Sequence, residues 1–139
     1  MTARGAKAFF ALCGCGLVTP AFSQSPTIDP GAAEALLRIE LDPAKITLNS
    51  DVCVKADGEP LAAEVVQRLQ ESGIKLAGGN SAADCPVEIY LGRFSFRSEL
   101  GTYELQFTST LFGGDNVAVL KRFDDGWHVI TAYHVGVWL

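Results

Sequence analysis

The residues of this chain best suited to chemistry are two histidines, two tryptophans and four cysteines. Both histidines and both tryptophans fall in the C-terminal stretch WHVITAYHVGVWL, 127–139. An imidazole titrates near neutral pH, so it can serve as acid, base or metal ligand. In an extended strand His128 and His134 have the same parity and lie six residues apart. That spacing spans about 20 Å, while two ligands of one metal must each lie within about 2 Å of it. The pair therefore shares neither a metal nor a proton. Strict alternation places His128, Ile130, Ala132, His134 and Trp138 on one mixed face. It places Trp127, Val129, Thr131, Tyr133, Val135, Val137 and Leu139 on a nearly continuous apolar face that reads as core. The mixed face, marked by His128, His134 and Trp138, is the candidate ligand or partner surface. The alternative is a small-ligand pocket or an enzyme site on the same face, with His134 beside Tyr90 or Tyr103.

Other constellations fail on spacing. No G-x-S-x-G elbow is present, and Ser81, Ser95, Ser98 and Ser109 read as loop or strand-surface residues. GGN at 78–80 and GGD at 113–115 lack the Lys-Ser/Thr of a phosphate cradle and read as turns. Asp115 and the pair Asp124-Asp125 sit at opposite ends of NVAVLKRF, more than about 25 Å apart if that segment is a strand. No calcium-loop pattern joins them. Cys53 and Cys85 have no CxxC or HxxxH companion, which argues against zinc and against a redox centre. In an oxidising compartment such a pair reads as a disulfide. The expectation is no catalytic residue, no metal and no cofactor.

The compartment follows from the N-terminus. Arg4 and Lys7 precede an apolar run from Ala8 to Val18, then Pro20 and the triplet Ala21-Phe22-Ser23. This is the layout of a secretory signal peptide over residues 1–23. The run is shorter than the ~20 residues of a membrane span, so no stable insertion is expected. A second reading is a lipid anchor at Cys15, since LCGC places a leucine and a glycine ahead of that cysteine. Cleavage after Ser23 leaves one domain, 24–139, of 116 residues. Losing Arg4 and Lys7 takes the formal net charge from -5 to -7. An acidic chain without a Lys/Arg cluster is unsuited to nucleic acid.

The elements that would hold these residues follow from periodicity and caps. Asp29-Pro30 predicts a helix start, and Pro43 ends a short helix over 30–41. KITLNSDVCVKA, 45–56, reads as strand with a bulge or break at NSD. EPLAAEVVQRLQESG predicts a second helix with Pro60 in its first turn and a stripe of Leu61, Ala62, Val65, Val66 and Leu69. Gly73 is its left-handed cap, with Ile74 folding back. A short IKLA strand follows. In CPVEIYLGRFSF the apolar parity changes after Leu91, which predicts a bulge near Gly92. TYELQFTSTLF, NVAVLKRF and the final stretch supply three more strands, the last entered through Asp125-Gly126. The predicted class is α+β: a helix packed on one face of a mostly antiparallel sheet, β-α-β followed by a four-strand meander, with a short N-terminal helix. The functional expectation is a periplasmic or secreted non-enzymatic binding or accessory protein, such as an inhibitor or immunity-type partner, whose partner is another exported protein.

Overall fold

The computed structural model describes residues 27–48, 50–77, 85–111 and 113–136. The expected signal segment, the GGN turn with Ser81, and Trp138 lie outside these described residues. Among the described residues the fold is α+β, one six-stranded sheet with two short helices.

Helix α1, Pro30–Glu40, starts where proline geometry and a cap coincide. The Asp29 carboxylate accepts from the backbone N–H groups of Gly31 (2.8 Å) and Ala32 (3.3 Å), satisfying two donors that the first helical turn leaves free. The helix buries Ala32, Ala33, Leu36 and Leu37, and its C-cap Leu41 is also buried. Strand β1, Val52–Ala56, then makes a tight turn through Asp57 and Gly58, both with positive φ, into the two-residue β2, Glu59–Pro60. This turn corrects the expected start of the second helix. Pro60 pairs with Lys55 in the sheet, so helix α2 spans only Ala63–Glu71, and Leu61 and Ala62 precede it. α2 buries Val65 and Leu69. It ends at Gly73 (φ 89°), with Ile74 N–H donating to Leu69 O and Gly73 N–H to Gln70 O. This is the double-bonded helix stop that a left-handed glycine permits. Leu76 makes one parallel bridge to Val52 rather than a strand.

The remaining strands are β3, Val87–Arg97; β4, Thr102–Ser109; β5, Asp115–Phe123; and β6, Gly126–Gly136. The sheet order is β2-β1-β3-β4-β5-β6. β1 is parallel to β3, and every other pair is antiparallel. The β3–β4 register shifts between Leu91 and Phe94, around Gly92. Both helices lie on one face, where Val52, Ile89, Leu91, Phe94, Leu105, Phe107, Ala118 and Leu120 meet them in a single apolar cluster. α1 packs against β6 and beside α2. Each fully buried leucine in that layer contributes roughly 2 kcal/mol through removal of apolar surface from water.

The Cys53–Cys85 disulfide joins β1 to the chain entering β3, with Cα atoms 5.9 Å apart. Cys53 alternates with Val52, so the bridge sits on the face turned away from the helices. Its loop encloses α2, which fixes the helix over the parallel pair of strands.

Candidate functional site

The C-terminal strand differs from simple alternation. Leu120 pairs with Val129, but Val119 pairs with Thr131, so Ile130 is an extra residue in β6. A bulge of this kind reverses which side chains face which side beyond it. Trp127 and Val129 are on the helix side, and after the bulge Ala132 and His134 take that side. Thr131 and Tyr133, opposite Val119 and Val117, move to the open side. Two expectations are therefore corrected: His128 and His134 do not share a face, and Trp127 to Leu139 is not one continuous core face. The physical reason is the inserted residue at 130, which neither glycine nor proline announces.

His128 stands at the β5–β6 turn. Its Nε2 lies 2.8 Å from Asp125 Oδ1, and this hydrogen bond holds the Asp125 carboxyl below its usual range. The imidazole edge meets the Phe123 ring at 4.9 Å, and Lys121 lies over the same ring at 5.6 Å. His134 lies on the other face toward α1, where burial pushes the Glu40 carboxyl up, against the charges of Lys45 and His134. Among the described residues, no hydroxyl or thiol is hydrogen-bonded to either imidazole, and no group of His, Cys, Asp and Glu has metal-binding geometry.

Trp127 is tied down on the helix side. Its indole N–H donates to Asp29 Oδ1 at 3.0 Å, so one carboxylate caps α1 and holds a side chain 98 positions away. A Cβ on Gly31 would approach Trp127 Cδ1 to 2.9 Å, so only glycine lets the helix start rest on the indole. Tyr103 stacks on Phe94 (4.9 Å, 6°) and meets Trp127 edge-on (4.9 Å, 77°). These contacts make Trp127 and Tyr103 packing residues rather than ligand-facing ones.

The open face carries the better candidate. Tyr90 on β3, Gln106 and Thr108 on β4, Asp115 and Val117 on β5 and Val135 on β6 surround a concavity of about 330 Å³. Neither helix covers it. Tyr90 is 42% and Val135 63% exposed, and Tyr133 stands nearby at 48%. The combination is an apolar floor, the Tyr90 phenol ring and a few amide, hydroxyl and carboxylate groups. It suits recognition, in which apolar area supplies affinity and scattered polar groups supply orientation. A second hollow of about 250 Å³ lies between the starts of α1 and α2, lined by Ile28, Ala33, Ala56, Leu61 and Val65. Gln106 and Thr108 were missed by reasoning centred on histidine, and Tyr90, expected beside His134, lies on the open face while His134 lies on the other. The signal for all three was the polar and aromatic half of the alternation in β3 and β4, opposite the face that fills the core.

The chain matches no known family model, no curated protein and no solved structure.

Proposed function

We propose that this protein is a small exported, non-enzymatic binding or accessory protein, in the periplasm or secreted, whose open sheet face engages another exported protein. An inhibitor or immunity-type role fits that description. The frame, read as a β-α-β unit continued by a four-strand meander, leaves one broad face free among the described residues. The observation that carries the reading is the exposed pair Tyr90 and Val135 lining the concavity, with Tyr133 exposed on the same face, which neither described helix covers. Exposed apolar patches rimmed by polar groups mark interaction surfaces. A removable segment over 1–23 and a disulfide both suit an oxidising compartment. The signal reading and the Cys15 lipid reading separate by intact mass of the exported chain. A start at Gln24 supports the first, and a start at Cys15 with several hundred added daltons supports the second.

The test is capture from an extracytoplasmic extract, comparing the exported chain with Tyr90→Glu and Val135→Glu. One stoichiometric protein retained by the parent and lost by both variants, with melting unchanged, is the expected result. Retention by both variants contradicts the open face as the surface. A second reading, a pocket for a small ligand, is favoured by the approach of Gln106, Thr108 and Asp115 to the Tyr90 side of the concavity. A protein-free extract that raises the melting temperature of the parent, but not of Tyr90→Glu, supports that reading instead. The enzymatic arrangement built on His128 and His134 together loses its premise, because the two imidazoles lie on opposite faces.

A further inference from the structure

The two edges of the sheet are built differently. β2 is two residues long, Glu59 and Pro60, and ends the sheet with a carboxylate and a residue that cannot donate a hydrogen bond. Short strands, charge, proline and bulges are how sheets avoid pairing with other chains. Of these β6 has only the bulges at Ile130 and Val135, which leave residues 131–134 as its regular edge. β6, the other edge, is eleven residues long, GWHVITAYHVG. It contains no proline, lysine, arginine, aspartate or glutamate. Every residue from Thr131 to Gly136 is exposed, and Ile130 is 54% exposed. No strand lies beyond it among the described residues, so one row of its backbone N–H and C=O groups is available for pairing.

We propose that two copies of this chain pair β6 with β6, antiparallel, about a twofold axis perpendicular to the sheet. Three observations select a second copy as the occupant. The strand has no fixed charge, so opposing it with itself places no like charges across the contact. The rest of the chain is acidic, with net charge -5, so copies approach each other most easily at this uncharged strand. The blunt β2 edge blocks head-to-tail growth, and a β6–β6 contact uses both open edges and closes at two. The axis keeps both pairs of helices on one side and brings Tyr133 and Val135 of the two copies together on the other. The two open faces become one platform. The pairing stands whether or not that face binds a partner.

Sedimentation velocity of the exported, disulfide-intact chain, over roughly 1 to 100 μM, reads the pairing directly in the affinity range of modest interfaces. The expected result is a reversible shift from one to two copies with rising concentration. Thr131→Lys and Tyr133→Lys, both at exposed positions, weaken the dimer at least tenfold, about 1.4 kcal/mol or more, by facing like charges across the axis. Hydrogen exchange at the concentrated end slows at β6 amides and not at β2. A chain that stays monomeric throughout overturns the proposal. So does growth beyond two copies, or a dimer that keeps its affinity in both variants with β6 amides unprotected.

Discussion

The two faces of the sheet use the same strands for opposite purposes. On the helix side, Leu91, Leu105, Ala118 and Leu120 are at most 1% exposed, and α1 and α2 seal them. On the other side, the residues that alternate with them include Tyr90, Gln106 and Thr108, which no described element covers. One face holds the fold together, and the other is free to be changed. Val117, 7% exposed on the open side, shows that neighbouring strands shelter part of that face without a second layer. The disulfide belongs to the stabilising account although it sits on the open side, because it constrains the chain rather than packs a core.

The comparison can be broken most severely at the disulfide. Cys53→Ser with Cys85→Ser, or reduction, removes a link across a sequence separation of 32. The chain-entropy relation gives about 3–4 kcal/mol for such a loop, and a domain of this size should melt more than ten degrees lower. Calorimetry with and without reductant measures it. A fall of one or two degrees contradicts a structural role for the bridge.

Leu105→Ala comes next. It opens a hole in the middle of the helix-side layer, where the side chain is fully buried. The expected loss is about 3 kcal/mol in chemical denaturation. Tyr90→Ala, on the same sheet but the open side, should cost less than about 0.5 kcal/mol. Equal losses at the two sites would erase the distinction between the faces.

Asp29→Ala tests the joint between α1 and β6. It removes a helix cap and the acceptor of the Trp127 indole together, at a cost of about 1–2 kcal/mol. Trp127→Phe leaves the cap and an aromatic ring in place, removing the indole donor with part of its packing on Phe94 and Tyr103, and should cost less. A smaller loss in Asp29→Ala than in Trp127→Phe would contradict the double role of Asp29.

The smallest expected effect is electrostatic. Glu34 on α1 bonds Arg38 at 2.7 Å and Arg68 of α2 at 2.8 Å, tying the two helices at the surface. The Arg68 hydrogen bond foremost, offset by partial burial and aided by Arg38, holds the Glu34 carboxyl below its ordinary range. A carboxylate lowered in the folded state stabilises above its unfolded pKa, and that stability is lost as pH falls through the folded value. Glu34→Gln should therefore cost roughly 0.5–1 kcal/mol at neutral pH, with less at high salt. The gap between parent and variant should close below the ordinary glutamate range. A gap that persists in acid would assign the effect to packing instead.

Much of this organisation was legible where the signal is local. Asp29-Pro30, Gly73-Ile74 and the parity change at Gly92 each act within a few residues, and each is where the chain caps, stops or bulges. The Cys53–Cys85 pair was legible because two cysteines separated by a predicted helix have little else to do. The start of α2 was not, since Pro60 suits a first helical turn as well as a sheet edge, and only the Asp57-Gly58 turn decides between them. The bulge at Ile130 was illegible for a related reason. Apolar residues occupy both parities of GWHVITAYHVG, so the pattern carries no mark of the reversal. Trp127 could be assigned to the core by parity, but not to Asp29, because nothing local links positions 98 residues apart. The candidate surface shifted accordingly, from the histidines to the ring of Tyr90, Gln106, Thr108 and Val135.

The chain's three tyrosines divide between the faces, Tyr90 and Tyr133 on the open side and Tyr103 among Phe94, Phe96 and Trp127. Mass-spectrometric mapping of tyrosine nitration on the folded chain, alone and with the proposed protein partner, reads both faces at once. The expected result is fast modification of Tyr90 and Tyr133, slow modification of Tyr103, and protection of the first two by the partner. Modification of Tyr103 as fast as the others, or a partner that leaves Tyr90 and Tyr133 equally reactive, would contradict the proposed use of the open face for binding.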